Sequence, residues 1–202
     1  MLKLYHSAQS RSARPRWLLE EIGAPYELVR VDLSKQEHKT PQYLQIHPHG
    51  VVPALVDGDL ALMESAAICA YLADKFPAAH LAPAVGTADR GRYYQWLFYA
   101  VATLEPPVLQ VFLHTIRLPE AERSAAVAEQ NRATFAQVAD VITGALAGKP
   151  FLLGEQFSAA DVMIGSTLGW AGFMGLLNGH PALGDYVQRL SSRPAFQRAH
   201  AD

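Results

Sequence analysis

The chain of 202 residues is long enough for one large or two small domains with buried cores. Its 17 Lys and Arg residues nearly balance 19 Asp and Glu residues, and the formal net charge of -2 excludes both the basic surface that nucleic acid requires and a disordered acidic tail. The opening MLKLYHS lacks the apolar run of a signal peptide, no later stretch approaches the ~20 apolar residues of a membrane span, and a single cysteine excludes an internal disulfide. We therefore expect a cytoplasmic protein with no nucleic-acid or membrane partner.

The first predicted elements are a strand, a polar turn and a helix. Alternating apolar positions at residues 2–6 favour a short strand, which leads into a polar turn at residues 7–12. Ala13 and Trp17 begin a run of apolar residues at helical spacing. Gly23, followed closely by a proline, gives the stop signal of this helix.

The remaining elements of the first half complete one α/β domain. In chain order they are a strand at 26–31, an irregular polar segment at 35–45 with a short helix at 41–44, hairpin strands at 52–56 and 60–63, and a helix that begins near Ser65 and is ended by Pro77. Gly58 supports the hairpin because glycine adopts positive φ at no steric cost. This order of elements predicts a thioredoxin-like domain over residues 1–77.

Everything after a short linker has helical periodicity. Residues 78–87 are rich in Pro, Ala and Gly and predict the linker. Helical stripes follow, and the first of them is expected to break near Pro106-Pro107. Ser158-Ala-Ala-Asp161 predicts the start of a deeply buried helix, because it is a capping box with Asp in place of the usual Glu. We expect an all-helical domain over residues 88–202.

Two short motifs in the first domain have the chemistry of a peptide-binding site. Pro53 cannot donate to a strand ladder, so Val52 before it keeps backbone groups with which an extended peptide can pair. Glu64 and Ser65 precede a helix whose amides and dipole favour an anion, so Ser65 can hold a carboxylate and Glu64 an ammonium group. Taken singly, the motifs are better explained as an ordinary strand entry and a plain helix N-cap. Together they suit the headgroup of an amino acid.

At their joint spacing these motifs resemble those of the glutathione S-transferase family. The resemblance spans both domains and rests on four runs: Trp17-Leu-Leu-Glu-Glu-Ile-Gly23, Pro48-His-Gly-Val-Val-Pro53, Glu64-Ser65 and Phe157-Ser-Ala-Ala-Asp161. It implies a thioredoxin-like domain followed by an all-helical domain that supplies the acceptor pocket. It also implies a symmetric homodimer, glutathione as co-substrate, and neither a metal nor an organic cofactor.

The chain departs from the family pattern at two positions. His47 stands where the family often has Asn, and Val51 stands where it often has Lys. The second departure removes a side chain that commonly contacts the glycyl end of glutathione. The resemblance then implies that His38, Lys39 or Arg11 supplies this charge.

The family activates the thiol of glutathione with a residue near the end of the first strand. Lowering a free-thiol pKa of about 8.5 by about two units requires roughly 2.7 kcal/mol, which one hydroxyl donor plus the amides of a helix N-terminus can supply. Ser10 is the first candidate because it lies in the turn just ahead of the helix and resembles the Ser-Arg turn of some bacterial and fungal members. Ser12 is the second candidate. Tyr5 falls where the tyrosine-type classes carry their hydroxyl, but we prefer a half-buried strand residue for it.

The other reactive side chains are less promising. Cys69 lies between apolar residues of a predicted helix and is expected to be a buried, inert thiol. The close pair His47 and His49 has no carboxylate or cysteine at metal-ligand spacing, so no metal is expected. For Glu105 the alternatives are a position facing the site or the partner subunit and a solvated helix end.

We predict a glutathione S-transferase that joins the glutathione thiolate to small hydrophobic electrophiles. A second hypothesis keeps glutathione but makes the chain a disulfide or peroxide reductase. A third is a non-catalytic glutathione-binding or scaffolding module. The joint presence of Val52-Pro53, Glu64-Ser65 and Ser10 argues against the third.

Overall fold

The computed structural model describes residues 1–201, which form two compact units. The first unit comprises Met1–Ala82 together with residues 192–201, and the second comprises Pro83–Ser191. The boundary after Ala82 falls inside the predicted linker.

The first unit is built on a four-stranded sheet. Its strands are β1 (Leu2–His6), β2 (Tyr26–Arg30), β3 (Ala54–Asp57) and β4 (Leu60–Met63), in the order β2-β1-β3-β4. β1 is parallel to β2 and antiparallel to β3, which in turn pairs antiparallel with β4. The helices are α1 (Ala13–Ile22), α2 (Pro41–Leu44) and α3 (Ser65–Lys75). This is the thioredoxin-like arrangement that the order of elements predicts.

The second unit is helical, as predicted. Its helices are α4 (Ala88–Tyr99), α5 (Glu105–Phe112), α6 (Ala125–Leu146), α7 (Ala159–Phe173) and α8 (Pro181–Ser191). The expected break at Pro106-Pro107 is wrong, because α4 continues into α5 through a wider π-helical turn at Ala100–Leu104. Both prolines directly follow this π-helical turn, at the first positions where the α-helical pattern resumes in α5.

The side chain of Glu105 is 8% exposed, so it is not a solvated helix end. The continuous helical stretch Ala88–Arg117 is long and apolar enough to cross a membrane by length and composition alone. The core helix of a soluble protein passes the same test, and Tyr93, Leu97 and Leu104 of this stretch are buried in the structure.

A closed polar cluster holds the start of α7, and we name it the Asp161 cluster. The Ser158 N–H and hydroxyl both donate to Asp161 Oδ2 at 2.9 Å. The Leu152 N–H and the Tyr186 hydroxyl donate to Oδ1 at 2.9 and 2.7 Å. Burial raises the pKa of Asp161, and these donors oppose it by stabilising the carboxylate. The predicted capping box is confirmed.

The C-terminal residues differ from the predicted division of the chain. The sequence assigns residues 88–202 to the helical domain, but residues 192–201, with α9 (Pro194–Ala199), belong to the first unit. Arg193 donates to both carboxylate oxygens of Glu21 on α1, at 2.6 and 2.8 Å. Phe196 packs edge-on against Trp17 with ring centroids 4.9 Å apart. No local pattern in α9 shows this long-range packing, which is why the sequence does not predict it.

Candidate functional site

The serine turn, residues 7–12, connects β1 to α1 and carries two of the candidate hydroxyls. The Ser10 hydroxyl is half-buried and lies 2.7 Å from the carbonyl oxygen of Ser7, to which it donates. It also accepts from the Ser12 N–H at 3.2 Å. Ser12 is fully buried, and its Oγ lies 2.6 Å from Ser10 Oγ. Of the two serines, Ser10 is therefore the one that a ligand can reach.

Behind the serine turn, the hydrogen bonds continue into the protein. Ser12 Oγ lies 2.8 Å from Nδ1 of His6, the last residue of β1. Nε2 of the same ring lies 3.2 Å from Nη1 of Arg16 on α1. His6 is 1% exposed and Arg16 is 8% exposed. A chain of polar groups thus runs from a buried guanidinium to the half-buried hydroxyl of Ser10.

A second part of the site lies where β4 meets α3. Glu64 has φ 70° and ψ 113°, a conformation that costs a non-glycine residue about 1–3 kcal/mol and is found most often at functional sites. Ser65 begins α3 and is 5% exposed, so its hydroxyl lies at the positive end of the helix dipole. Nη1 of the buried Arg14 donates to Ser65 Oγ at 3.2 Å. A strained acidic residue therefore stands beside a serine that is backed by a guanidinium.

The third part of the site is the peptide bond between Val52 and Pro53, which is cis. Val52 precedes the β1–β3 ladder, in which Ala54 pairs with Tyr5. Continuing this register by two residues brings Val52 opposite Ser7, the first residue of the serine turn. The backbone groups of Val52 lie outside the ladder, as the sequence predicts.

Strand register brings these parts to one end of the sheet. β1 ends at His6 and β4 ends at Met63, while β3 begins at Ala54, which pairs with Met63. The serine turn, Val52-Pro53 and Glu64-Ser65 all follow or precede these strand ends directly. Residues far apart in the sequence therefore meet where an extended peptide can contact all three.

Tyr5 is the next-to-last residue of β1, but its side chain has a packing role. Side chains alternate along a strand, so Tyr5 points to the opposite face of β1 from His6. Its ring packs edge-on against Tyr43 of α2, with centroids 5.6 Å apart. This packing favours the role of a half-buried strand residue.

The side chains expected to contact the glycyl end of glutathione lie in the serine turn and in the turn at 37–39. Arg11 is exposed in the serine turn. Lys39 donates from Nζ to the carbonyl oxygen of His49 at 2.9 Å, while Nδ1 of neighbouring His38 is buried without a hydrogen-bond partner. Gly50 has φ +56°, and a Cβ at this position would lie 2.5 Å from the His38 carbonyl oxygen. The turn at 37–39 therefore depends on glycine at position 50.

The two departures from the family pattern have structural roles in the 47–51 loop. His47 is 3% exposed and stacks on Tyr43 with ring centroids 6.5 Å apart. Burial lowers the pKa of His47, and the neighbouring His49 lowers it further. The side chain of Val51 is exposed, while its carbonyl oxygen accepts from the Tyr43 hydroxyl at 2.7 Å.

Sequence reasoning missed three residues of the site: His6, Arg14 and Arg16. The two arginines have a signal in the sequence. They lie in the first turn of a helix, directly before the buried residues Trp17, Leu18 and Leu19. His6 occupies an inward position of an alternating strand, where a polar side chain requires a buried partner. Neither signal identifies the partner.

Cys69 and the potential metal ligands were the other reactive groups that the sequence offers. Cys69 is fully buried, and burial raises the pKa of its thiol to about 12, opposed by the charge of Arg14. Within residues 1–201, no group of three or more His, Cys, Asp and Glu side chains has the arrangement to hold a metal ion.

Comparison with known families matches both halves of the chain. Residues 1–74 match the glutathione S-transferase N-terminal domain, and residues 125–189 match the glutathione S-transferase C-terminal domain.

Individual relatives match over nearly the whole length. Glutathione S-transferase F9 of Arabidopsis thaliana is 32% identical over 211 residues, covering 100% of this chain and 97% of the relative. The disulfide-bond oxidoreductase YfcG of Escherichia coli strain K12 is 30% identical over 207 residues, covering 98% of this chain and 94% of the relative. A sphingomonad glutathione S-transferase solved in complex with glutathione superposes with a TM-score of 0.85 at 32% identity, covering 98% and 97% of the two chains.

Proposed function

The chain belongs to the glutathione S-transferase family, and from this premise we propose how its own residues carry the transferase reaction. The chain is a glutathione transferase, as its full-length relatives are. The observation that carries the residue assignment is the convergence of the serine turn, Val52-Pro53 and Glu64-Ser65 at one end of the sheet.

Glutathione is held along this end of the sheet as an extended peptide. The backbone of Val52 pairs with the cysteinyl residue, because its N–H and C=O lie outside the β1–β3 ladder. The Ser65 hydroxyl and the first amides of α3 hold the γ-glutamyl carboxylate, and Glu64 holds the ammonium group. Arg14 supports this assignment because its donation to Ser65 Oγ leaves the serine hydrogen free to point at the carboxylate.

The glycyl carboxylate of glutathione takes its charge partner from Lys39, His38 or Arg11. Lys39 is the best placed of the three, since its ammonium group has two hydrogens left after donating to the His49 carbonyl oxygen.

Ser10 activates the thiol. A register that brings Val52 opposite the serine turn also brings the cysteinyl side chain of a peptide paired with Val52 towards that turn. The Ser10 hydroxyl turns from the Ser7 carbonyl oxygen to the sulfur and stabilises the thiolate by a charge-assisted hydrogen bond. The thiol proton leaves to solvent. The thiolate then forms a sulfur–carbon bond with a small hydrophobic electrophile, which either releases a leaving group with its bonding electrons or accepts the pair as a conjugate acceptor.

A matched set of hydroxyl variants tests this assignment. We expect Ser10→Ala to raise the pKa of bound glutathione by about one to two units and to lower turnover at neutral pH about 10- to 100-fold, with little change in glutathione affinity. Tyr5→Phe should leave both quantities near the wild-type values. If Tyr5→Phe raises the thiol pKa and Ser10→Ala does not, the assignment of the hydroxyl is wrong.

Disulfide reduction is the second candidate activity, because YfcG, a relative at 30% identity, is named a disulfide-bond oxidoreductase. The one cysteine of this chain is buried with a raised thiol pKa, so glutathione itself would have to supply both reducing thiols. Comparing turnover of a mixed disulfide with turnover of a chloronitroaromatic acceptor separates the two activities. The transferase assignment requires conjugation of the acceptor to glutathione.

The assembly and location follow from the same proposal. A homodimer is supported by large exposed aromatic side chains on α4, where Tyr94 is 40% and Phe98 is 66% exposed. Light scattering checks the mass of the assembly. A cytoplasmic location is supported by Cys69, which remains a free thiol.

A further inference from the structure

We infer that His6 and Arg16 are positioning residues that, through Ser12, direct the hydroxyl hydrogen of Ser10 towards the thiolate of glutathione. This inference rests on the proposed role of Ser10. It assigns a function to two buried polar side chains that do not themselves touch glutathione.

Arg16 determines which groups donate and which accept along this hydrogen-bond chain. A guanidinium only donates hydrogen bonds and keeps its charge at any ordinary pH. Nε2 of His6, 3.2 Å from Arg16 Nη1, must therefore be the acceptor, and the ring carries its proton on Nδ1. Consequently Nδ1–H donates to Ser12 Oγ across 2.8 Å.

Ser12 transmits this direction because its oxygen has two lone pairs and one hydrogen. One lone pair accepts from His6 Nδ1–H, and the other accepts from the Ser7 N–H at 3.1 Å. With both lone pairs occupied, Ser12 cannot accept from Ser10. Its one hydrogen has two acceptors within reach, Ser10 Oγ at 2.6 Å and the Ser7 carbonyl oxygen at 3.0 Å. The Ser7 carbonyl oxygen already accepts from Ser10 at 2.7 Å, so we assign the shorter contact to donation from Ser12 to Ser10.

Ser10 is the last member of this hydrogen-bond chain, and none of the other members accepts its hydrogen. Its oxygen accepts from the Ser12 hydroxyl and from the Ser12 N–H at 3.2 Å. Its own hydrogen points to the Ser7 carbonyl oxygen, 2.7 Å away, until a thiolate offers a stronger acceptor. Each donation in such a chain also polarises the next hydroxyl, which makes Ser10 a better donor.

Arg16 is held in place by the first unit. Its Nη2 donates to the Arg198 carbonyl oxygen at 3.4 Å. Its charge also contributes to the lowered pKa of Glu20 and opposes the rise that burial causes in the pKa of Tyr26. Its side chain is 8% exposed, so water does not compete strongly for the bond to His6. The guanidinium therefore fixes the tautomer of the neutral His6 ring.

Two amide substitutions of His6 test whether its donation to Ser12 matters or whether any polar side chain at this position is sufficient. In His6→Asn the side-chain NH2 takes the place of Nδ1 and can still donate to Ser12. In His6→Gln the amide takes the place of Nε2, where it can accept from Arg16 but cannot reach Ser12. The readouts are the ultraviolet signal of bound thiolate against pH, and kcat and KM for glutathione measured separately.

We expect His6→Gln to raise the pKa of bound glutathione by about one unit, and to lower kcat at neutral pH up to tenfold with KM within about twofold. His6→Asn should recover most of the loss. Arg16→Gln, which retains a donor for His6 without the fixed charge, should show a smaller shift in the same direction as His6→Gln.

The inference is overturned if His6→Gln and His6→Asn both fold, by circular dichroism, and give the same thiol pKa. If either fails to fold, Arg16→Gln decides, and an unchanged thiol pKa in that variant also overturns the inference. These outcomes differ from a failure of the proposed function, in which Ser10→Ala itself leaves the thiol pKa unchanged.

Discussion

The Asp161 cluster and the hydrogen-bond chain behind the serine turn are both buried polar networks, one in each unit, but they end differently. In the Asp161 cluster, donors from the loop before α7 and from α8 converge on one carboxylate that is 0% exposed. In the chain from Arg16 through His6 and Ser12, the bonds run in one direction and end at a half-buried hydroxyl.

This difference separates a network that serves stability from one that serves a ligand. A closed cluster satisfies every member internally, so removing the central residue leaves several buried groups unpaired. An open chain keeps one donor for a group that is not part of the protein. Of the two networks, the closed cluster should therefore affect the free energy of unfolding most. The pKa of bound glutathione should respond to substitutions in the open chain and not to those in the closed cluster.

The largest effect on stability is expected for Asp161→Ala. The Leu152 and Ser158 N–H groups and the Tyr186 hydroxyl would lose their acceptor, and at about 1–3 kcal/mol for each buried unpaired donor we expect a loss of about 4 kcal/mol or more. Urea denaturation measures the loss. Tyr186→Phe, which removes one of these donors with its hydrogen, is the matched control and should cost about 1–2 kcal/mol. An Asp161→Ala loss no larger than that of Tyr186→Phe would contradict the closed-cluster account.

The second-largest loss of stability is expected for Ser12→Ala, because it removes the buried hydroxyl that links His6 to Ser10. His6 Nδ1–H and the Ser7 N–H would lose their acceptor, for an expected loss of about 2 kcal/mol in the free energy of unfolding. The pKa of bound glutathione should also rise, since Ser10 would no longer be oriented. If stability falls and the thiol pKa does not change, the chain is structural only.

Ser10→Ala should change stability less than Ser12→Ala, in contrast to its effect on thiol chemistry. The hydroxyl is half-buried, so water can replace it at the Ser7 carbonyl oxygen, and we expect a loss below about 1 kcal/mol. Urea denaturation measures it. A loss as large as that of Ser12→Ala would mean that the two serines share one structural role.

The smallest effect is a pH dependence at Glu20, whose carboxylate lies near the Arg16 end of the open chain. Burial raises the pKa of Glu20, but hydrogen bonds from Arg198 and Tyr26 outweigh burial and hold the pKa below its usual value. A lowered folded-state pKa contributes stability above the unfolded value of about 4.3, and this contribution is lost as the pH falls through the folded value. We expect it to be below about 1 kcal/mol, because Arg198 is largely exposed.

Glu20→Gln tests this pH dependence. The variant should lose less free energy of unfolding than the wild type between pH 6 and pH 3, a range of about three units around the carboxyl pKa. An identical pH dependence in the two proteins would contradict the prediction.

Local patterns in the sequence predict most of the fold and part of the site. Alternation and helical spacing identify β1 and α1, and the Ser158-Asp161 spacing identifies the capping box, because each of these is a short-range feature. The continuity of α4 and α5 through Pro106-Pro107 was missed, since a π-helical turn accommodates residues that usually end a helix.

Local sequence patterns do not predict contacts between residues that are far apart in the sequence. Val52, Glu64 and Ser65 were recognised by their spacing, but the pairing of His6 with Arg16 and of Arg14 with Ser65 depends on how α1 packs on the sheet and on α3. The docking of α9 on α1 likewise depends on Glu21 and Arg193, which are 172 residues apart. No periodicity connects such residues.

The pKa of the glutathione thiol in its complex with the protein tests the central claim most directly. We predict a value about two units below the free-thiol value of about 8.5 in the wild type, and a rise of about one to two units in Ser10→Ala. A wild-type complex that ionises like free glutathione, or a Ser10→Ala complex that keeps the full depression of the thiol pKa, would contradict the account.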